Sequence, residues 1–258
     1  MIIKTSKQLD EYKQATELSM IILNKLHASV AAGVTPMDIE ELSLSLIKSH
    51  GALPAFVGVG PIGNKYKYVM CISVNDTVVH GIPNKIKFVQ GDIVKLDFGL
   101  IYNGYYTDHC VTVGINNVAK KDKRLIAAGK QIVLSAVAQA TTGKTIGDIG
   151  FVMENTAKEY GYKTVKEFTG HGIGRSLHDD PMIPTYGRTN TGRQLEDGMV
   201  LCIEAQVVEG SNSVHEETDG WTYKTDDGGN VVMFEYMVIV KKDEPFILTD
   251  TRKWESLV

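Results

Sequence analysis

The chain has 258 residues, 43% hydrophobic and 22% charged, enough apolar material for one large domain or two fused halves around a substantial core. With 27 Lys plus Arg against 31 Asp plus Glu, the net charge is -4, which argues against a global basic footprint for nucleic acid; no run of like charge marks a tail. Residues 1–9 turn polar after Ile3 and so hold no signal-peptide apolar region, and no stretch approaches the roughly 20 apolar residues of a membrane span.

The first predicted helix follows Thr5, with Gln8 placed for a capping box and Leu9, Tyr12, Ala15, Ile22 and Leu26 near helical spacing. A second starts at Thr35-Pro36, a cap residue with proline in the first turn, and runs to His50-Gly51. Strand-like sequence follows over 70–79, around an Asn75-Asp76 turn, and over 93–113, around Asn103-Gly104. The third helix is expected over 121–140, with Leu125, Ala128, Ile132 and Ala136 on one face, and the fourth from Thr145 to Tyr160-Gly161. Strands are read over 200–208 and 231–240, and the Gly-, Ser-, Asp- and Asn-rich 210–230 segment reads as loop. The three cysteines, Cys71, Cys110 and Cys202, are odd in number and lack Cys-x-x-Cys spacing, which argues against a disulfide scaffold and a structural zinc site. The expected class is a soluble globular protein of a reducing compartment, the cytoplasm.

An internal repeat organises these elements. Gly33-Val34-Thr35-Pro36-Met37-Asp38-Ile39 recurs as Gly143-Lys144-Thr145-Ile146-Gly147-Asp148-Ile149, and the stop glycines Gly51 and Gly161 keep the same spacing. His80-Gly81-Ile82 recurs as His171-Gly172-Ile173, and the strand from Gly91 to Asp97 recurs from Gly198 to Glu204. The period is too long for a solenoid. Two related halves, about 1–118 and 119–258, sharing a cleft fit better, as one catalytic domain spanning 1–258.

The chemistry lies in acidic residues set in apolar strands. Asn103-Gly104 is a type I′ hairpin signal; if those two residues form the loop, Tyr102 faces Tyr105, Asp97 faces Cys110, and Asp108 lies diagonal to Asp97 on the same face. Two carboxylates so placed on a mostly buried sheet are unfavourable by several kcal/mol unless a cation lies between them, one is protonated, or the strand edge is solvated. Glu204 and Glu235 repeat the pattern in the second half, and His171 lies between Gly170 and Gly172 in what reads as a glycine-rich turn, whose glycines would allow positive φ and close backbone approach. Four carboxylates and one imidazole suit Mn, Fe(II), Co or Zn in a two-metal carboxylate-bridged site. A single acidic residue in a strand is ordinarily a solvent-facing position; four at matched positions are not explained that way. His27, His50, His109 and His215 share no pattern and read as surface or core residues, and Asn75-Asp76-Thr77 reads as a turn rather than a glycosylation site.

These segments resemble the type I methionine aminopeptidases of the creatinase-like ("pita-bread") fold. The match rests on Cys71-Ile72-Ser73-Val74-Asn75, His80-Gly81-Ile82-Pro83, Leu96-Asp97-Phe98-Gly99 with Gly104 and Asp108, and Thr169 to Arg175. It continues through Leu177-His178, Ile203-Glu204, Asp219-Gly220-Trp221-Thr222 and Phe234-Glu235, in family order over nearly the whole chain. The resemblance implies an α+β fold of two pseudo-symmetric halves, with a curved antiparallel sheet covered by two pairs of helices. It implies two divalent cations, with Asp108 and Glu235 bridging, Asp97 on one ion, and His171 and Glu204 on the other. A hydroxide bridging the ions would attack the scissile carbonyl, Glu204 would carry the proton, His178 would stabilise the oxyanion, and His80 would orient the peptide amide. Cys71, Leu177 and Trp221 would line an apolar pocket for methionine.

The implied function is removal of the initiator methionine from peptides and nascent chains at the ribosome when the second residue is small and uncharged, by a cytoplasmic monomer that engages neither nucleic acid nor membrane. Two alternatives stand beside it. A proline-specific aminopeptidase or prolidase of the same fold usually carries an extra N-terminal domain, whereas here the first helix begins within ten residues. A non-catalytic binding protein of the fold would be marked by a lost ligand, and all five ligands are present. The lack of a zinc-finger extension points to a bacterial-type form. Departures from the family pattern are Ala205-Gln206 after Glu204, Tyr236-Met237 after Glu235, Leu177, Asp179-Asp180 and the 58–68 segment; these touch pocket shape, rate and metal preference rather than the ligand set.

Overall fold

The computed structural model describes residues 1–256. Its four helices are α1 (Ser6–Ala28), α2 (Pro36–Ser49), α3 (Lys120–Val137) and α4 (Ile146–Glu159). Three of them begin with a reciprocal capping box, Thr5 with Gln8, Thr35 with Asp38 and Thr145 with Asp148, so local chemistry alone sets where they start. The helix expected over 121–140 stops at Val137, because the amides of Gln139 and Ala140 turn back to the carbonyls three residues earlier and tighten the last turn.

A nine-stranded antiparallel sheet supports the helices. Its central path runs Asp179–Pro184, Thr169–Gly172, Val200–Val208, Val231–Ile239, His109–Gly114, Ile93–Phe98 and Met70–Val74. Within that order the two halves meet at a seam between Val231–Ile239 and His109–Gly114, where Glu235 pairs with Cys110. One sheet face is apolar on both sides of that seam. Val94, Leu96, Phe98, Val111 and Val113 pack with Ile22, Leu23, Leu26, Ile39 and Ile47 of α1 and α2. Leu201, Ile203, Ala205, Val207, Val232, Phe234, Tyr236 and Val238 pack with α3 and α4. Burying about 25 cal/mol per Å² of apolar surface on this face is what holds the helix pairs against the sheet.

The hairpin forms in the expected register. Asn103 and Gly104 take φ of 52° and 75°, Tyr102 pairs with Tyr105, and Asp97 pairs with Cys110. Two expectations are corrected. The 210–230 segment is not all loop: Val214–Glu216 pairs with Tyr223–Thr225, which pairs with Thr77–Val79 in a separate three-stranded sheet. Three-residue strands hold too little alternation to signal themselves, and their partner is far away in sequence. Nor does His171 sit in a turn: Thr169–Gly172 is a strand, paired with Asp179–Pro184 and Val200–Val208. None of Gly170, Gly172 and Gly174 has positive φ. Their role is close approach, since a Cβ at Gly170 would lie 2.3 Å from the Cys202 carbonyl oxygen, and one at Gly172 would lie 2.3 Å from that of Asp180.

Candidate metal centre and substrate cavity

Strand alternation decides which side chains meet. Because odd positions of Val200–Val208 and even positions of Val231–Ile239 face the helices, Cys202, Glu204 and Gln206 lie on the opposite face with Met233, Glu235 and Met237. The same rule turns Asp97 and Cys110 away from α1 and α2. Glu204 and Glu235 are direct cross-strand partners, and Cys110 pairs with both Asp97 and Glu235. The carboxylates of both sheet halves therefore converge at the seam.

Asp97, Asp108 and Glu235 each offer an oxygen within 4.8 Å of the other two, and Asp108, His171 and His178 form a second such group. His171 Nε2 lies 3.6 Å from Asp108 Oδ2 and 3.9 Å from Glu235 Oε1. Its Nδ1 donates to the Gly172 carbonyl at 2.9 Å, so Nε2 is the nitrogen turned toward the acids. All five residues are buried, Glu235 to 1% exposure, and Asp97 Oδ1, Asp108 Oδ1 and Glu235 Oε1 have no hydrogen-bond partner.

Burial, reinforced by repulsion from Asp108 and Glu204, holds the carboxyls of Asp97 and Glu235 well above the usual range. Burial also pushes Glu204 up to about 7, against the pull of His171 and a hydrogen bond from Gln206. For His171, burial works downward, but the Asp108 and Glu204 carboxylates outweigh it and raise the imidazole. Orphaned, mutually repelling hard oxygens beside one oriented imidazole fit divalent cations, which would satisfy the oxygens and cancel the repulsion.

Above the acids lies a cavity of about 410 Å³ walled by Phe56, Val59, Tyr66, Cys71, Leu177 and Trp221, with His80 and His178 also on its lining. Tyr66 donates its hydroxyl to the Met70 carbonyl at 3.0 Å, and its ring stands edge-on to Trp221 at 4.9 Å. Asp219 accepts from the amides of Trp221 and Thr222 at 2.8 Å each, and Asn64 donates to Gly220, so the tryptophan is fixed by its own turn and by the 57–65 loop. Gly60 is required there, because a Cβ would lie 2.4 Å from the indole.

His80 has φ of 57°, and burial, then His178, lowers its imidazole to about 4, so it is neutral at pH 7. His178 lies edge-on to His171 at 4.5 Å and is lowered by burial and by that neighbour. Every residue singled out from the sequence thus lies at this cavity or its floor. Sequence reasoning missed Phe56 and Phe168 on the wall, reached Val59 and Tyr66 only through the 58–68 departure, and noted Gln206 only as a departure. Spacing from Glu204 could have placed Gln206 on the site face; nothing local marks the wall residues. His109 is instead a core residue, its Nε2 2.8 Å from Ser19 Oγ, and burial takes it down to about 3.

Metallopeptidase family M24 matches residues 10–242. The methionine aminopeptidase of Aquifex aeolicus (strain VF5) is 36% identical over 253 residues, covering 95% of this chain and 97% of the relative. Methionine aminopeptidase 1 of Bacillus subtilis (strain 168) is 32% identical over 249 residues, covering 96% and 99%. The crystal structure of the Thermotoga maritima methionine aminopeptidase superposes with a TM-score of 0.91 at 36% identity, covering 97% of this chain and 100% of that one. The prolidase of Pyrococcus horikoshii OT3, at 23% identity and a TM-score of 0.77, shares the fold, and this chain covers 64% of its length. With acids, histidines and cavity arranged as described, and with likeness of this extent, the chain belongs to the M24 metallopeptidases of the pita-bread fold and, among them, to the methionine aminopeptidases.

Proposed function

We propose that this protein hydrolyses the bond after an N-terminal methionine when the second residue is small and uncharged, with 1–258 acting as one catalytic domain made of two related halves. The observation that carries the reading is the convergence of Asp97, Asp108, Glu204, Glu235 and His171 beneath an apolar cavity large enough for one side chain. Asp108 and Glu235 would be shared between two divalent ions (Co, Mn, Fe(II) or Zn), with Asp97 on one side and His171 and Glu204 on the other. When bound, such ions polarise a carbonyl and lower the pKa of water.

The remaining chemistry belongs to side chains. Glu204, buried on the cavity floor, is placed to accept a proton from the attacking water and pass it to the leaving amine. His178, beside His171 at the cavity, donates to the oxyanion, and neutral His80 orients the peptide amide. Cys71, Leu177 and Trp221, with Tyr66 and Phe56, receive the methionine side chain and exclude water from it. The same reading extends to nascent chains at the ribosome as substrates, in the cytoplasm, for a monomeric enzyme.

The test is mass-spectrometric cleavage of peptides beginning Met-Gly, Met-Ala, Met-Leu and Ala-Pro by chelator-stripped protein reloaded with Mn, Fe(II), Co or Zn. Metal-dependent loss of methionine before Gly and Ala, but not Leu, is the expected outcome. Cleavage of Ala-Pro, or none with any ion, would overturn the reading.

A further inference from the structure

Within the 200–208 strand, the structure gives Gln206 a task beside Glu204. Gln206 is 0% exposed and lies on the same strand face as Glu204. Its Nε2 is 2.9 Å from Glu204 Oε1. With Glu204 ionised, as a cation ligand would be, its oxygens only accept, so the amide presents its NH₂ to it. The second contact of that NH₂ is the Met233 sulfur at 3.5 Å, and Gln206 Oε1 is buried with no partner. A buried amide left half satisfied is costly, because its unpaired oxygen has lost water and gained no donor. What this residue does for the fold is therefore poor compensation, and its strong contact is to one oxygen of a site carboxylate. Of the 200–208 strand, Glu204 is the residue that reaches the cavity wall, so Gln206 acts from beneath.

We propose that Gln206 is a positioning residue that holds Glu204 by Oε1, fixing the carboxylate plane so that its other oxygen is offered to the cation on the His171 side. The inference rests on the functional reading above. Hydrogen bonds of this kind to a metal-binding carboxylate typically change metal affinity or activity by about 10- to 100-fold.

The test uses Gln206→Met, which keeps length and volume and removes the donor, with Co²⁺ binding followed by calorimetry on stripped protein. The relevant binding step is the one lost in Glu204→Gln. Gln206→Met should weaken that step by about 10-fold or more and lower kcat more than it changes KM. In the Glu204→Gln background, where that step is already absent, Gln206→Met should change the Co²⁺ binding that remains less than twofold, because its route of action is gone. Affinity and kcat within twofold of wild type, or an equal loss in the Glu204→Gln background, would overturn the proposal.

A readout that needs no variant covers the case in which Gln206→Met fails to fold. In ¹⁵N-labelled wild type, the Gln206 side-chain NH₂ resonances should shift on saturation with Zn²⁺, and unmoved resonances would overturn the proposal. Wild type that binds Co²⁺ and cleaves Met-Ala peptides while Gln206→Met matches it removes this inference alone. Wild type that binds no ion removes the functional reading and this inference together.

Discussion

At the scale of single residues, the site is a set of groups that would be destabilising anywhere else. Three orphaned carboxylate oxygens and a glutamic acid pushed to about 7 are tolerated because their energetic deficit is made good by what binds there. Asp108→Asn or Glu204→Gln should accordingly cut kcat/KM by at least about 10³-fold if, as proposed, each removes a cation ligand and the second also removes the proton carrier. Steady-state kinetics on the reloaded variants checks this, and retained activity in either would break the assignment. The four acids were legible in the sequence because an acid in an apolar, strand-like run contradicts its surroundings, and His171 because its His-Gly-Ile segment repeats that of His80. Phe56 and Phe168 were not, because an apolar wall residue has the same composition as a core residue and only its neighbours distinguish them.

At the scale of elements, the site depends on backbones that approach closely. The Thr169–Gly172 strand reaches Val200–Val208 and Asp179–Pro184 only because Gly170 and Gly172 lack a Cβ. Gly170→Ala would drive a methyl into the Cys202 carbonyl and displace His171 one residue away. The expected outcome is a loss of kcat with lowered melting temperature, read by kinetics and thermal melts; unchanged kcat would show that the strand can yield. A contrasting change lies at the start of α4. Thr145→Ala removes a capping box worth about 1 kcal/mol and should lower the melting temperature by about 2–4 °C with kcat unaltered, because neither Thr145 nor any residue of α4 lines the cavity. A matching loss of kcat would contradict that separation.

At the scale of the whole molecule, the acids tie stability to pH and to bound ions. Glu204 titrates near 7 in the folded protein against an ordinary 4.5, so the folded state binds more protons than the unfolded state between those values. Its stabilising share is therefore present below about 4.5 and is lost as pH rises through about 7. In stripped protein, Glu204→Gln should melt at a temperature that rises relative to wild type between pH 5 and pH 7.5; a constant difference would refute the linkage. Adding Mn²⁺ at 100 times its dissociation constant should raise the wild-type stability by about 2.7 kcal/mol per site, visible as a higher melting temperature at pH 7.5. A cation near the seam would join strands from both halves, where Lys95 already donates to the carbonyls of Asn75 at 2.8 Å and Val231 at 3.0 Å.

The sequence by itself determined what depends on neighbours a few residues away. The Thr caps started three helices, the Asn103-Gly104 turn set the register that puts Asp97 opposite Cys110, and strand alternation assigned each acid a face. Tertiary structure alone decided what depends on residues more than a hundred positions apart: the seam that pairs Glu235 with Cys110, the 223–225 strand beside Thr77–Val79, and the Tyr66–Trp221 contact; it also decided that Gly170 and Gly172 serve close approach to Cys202 and Asp180 rather than positive φ. The physical reason is range. Capping, turn and alternation energies are local and leave a local pattern, whereas the shape of a cavity is a sum of distant packing contacts that no short stretch of chain encodes.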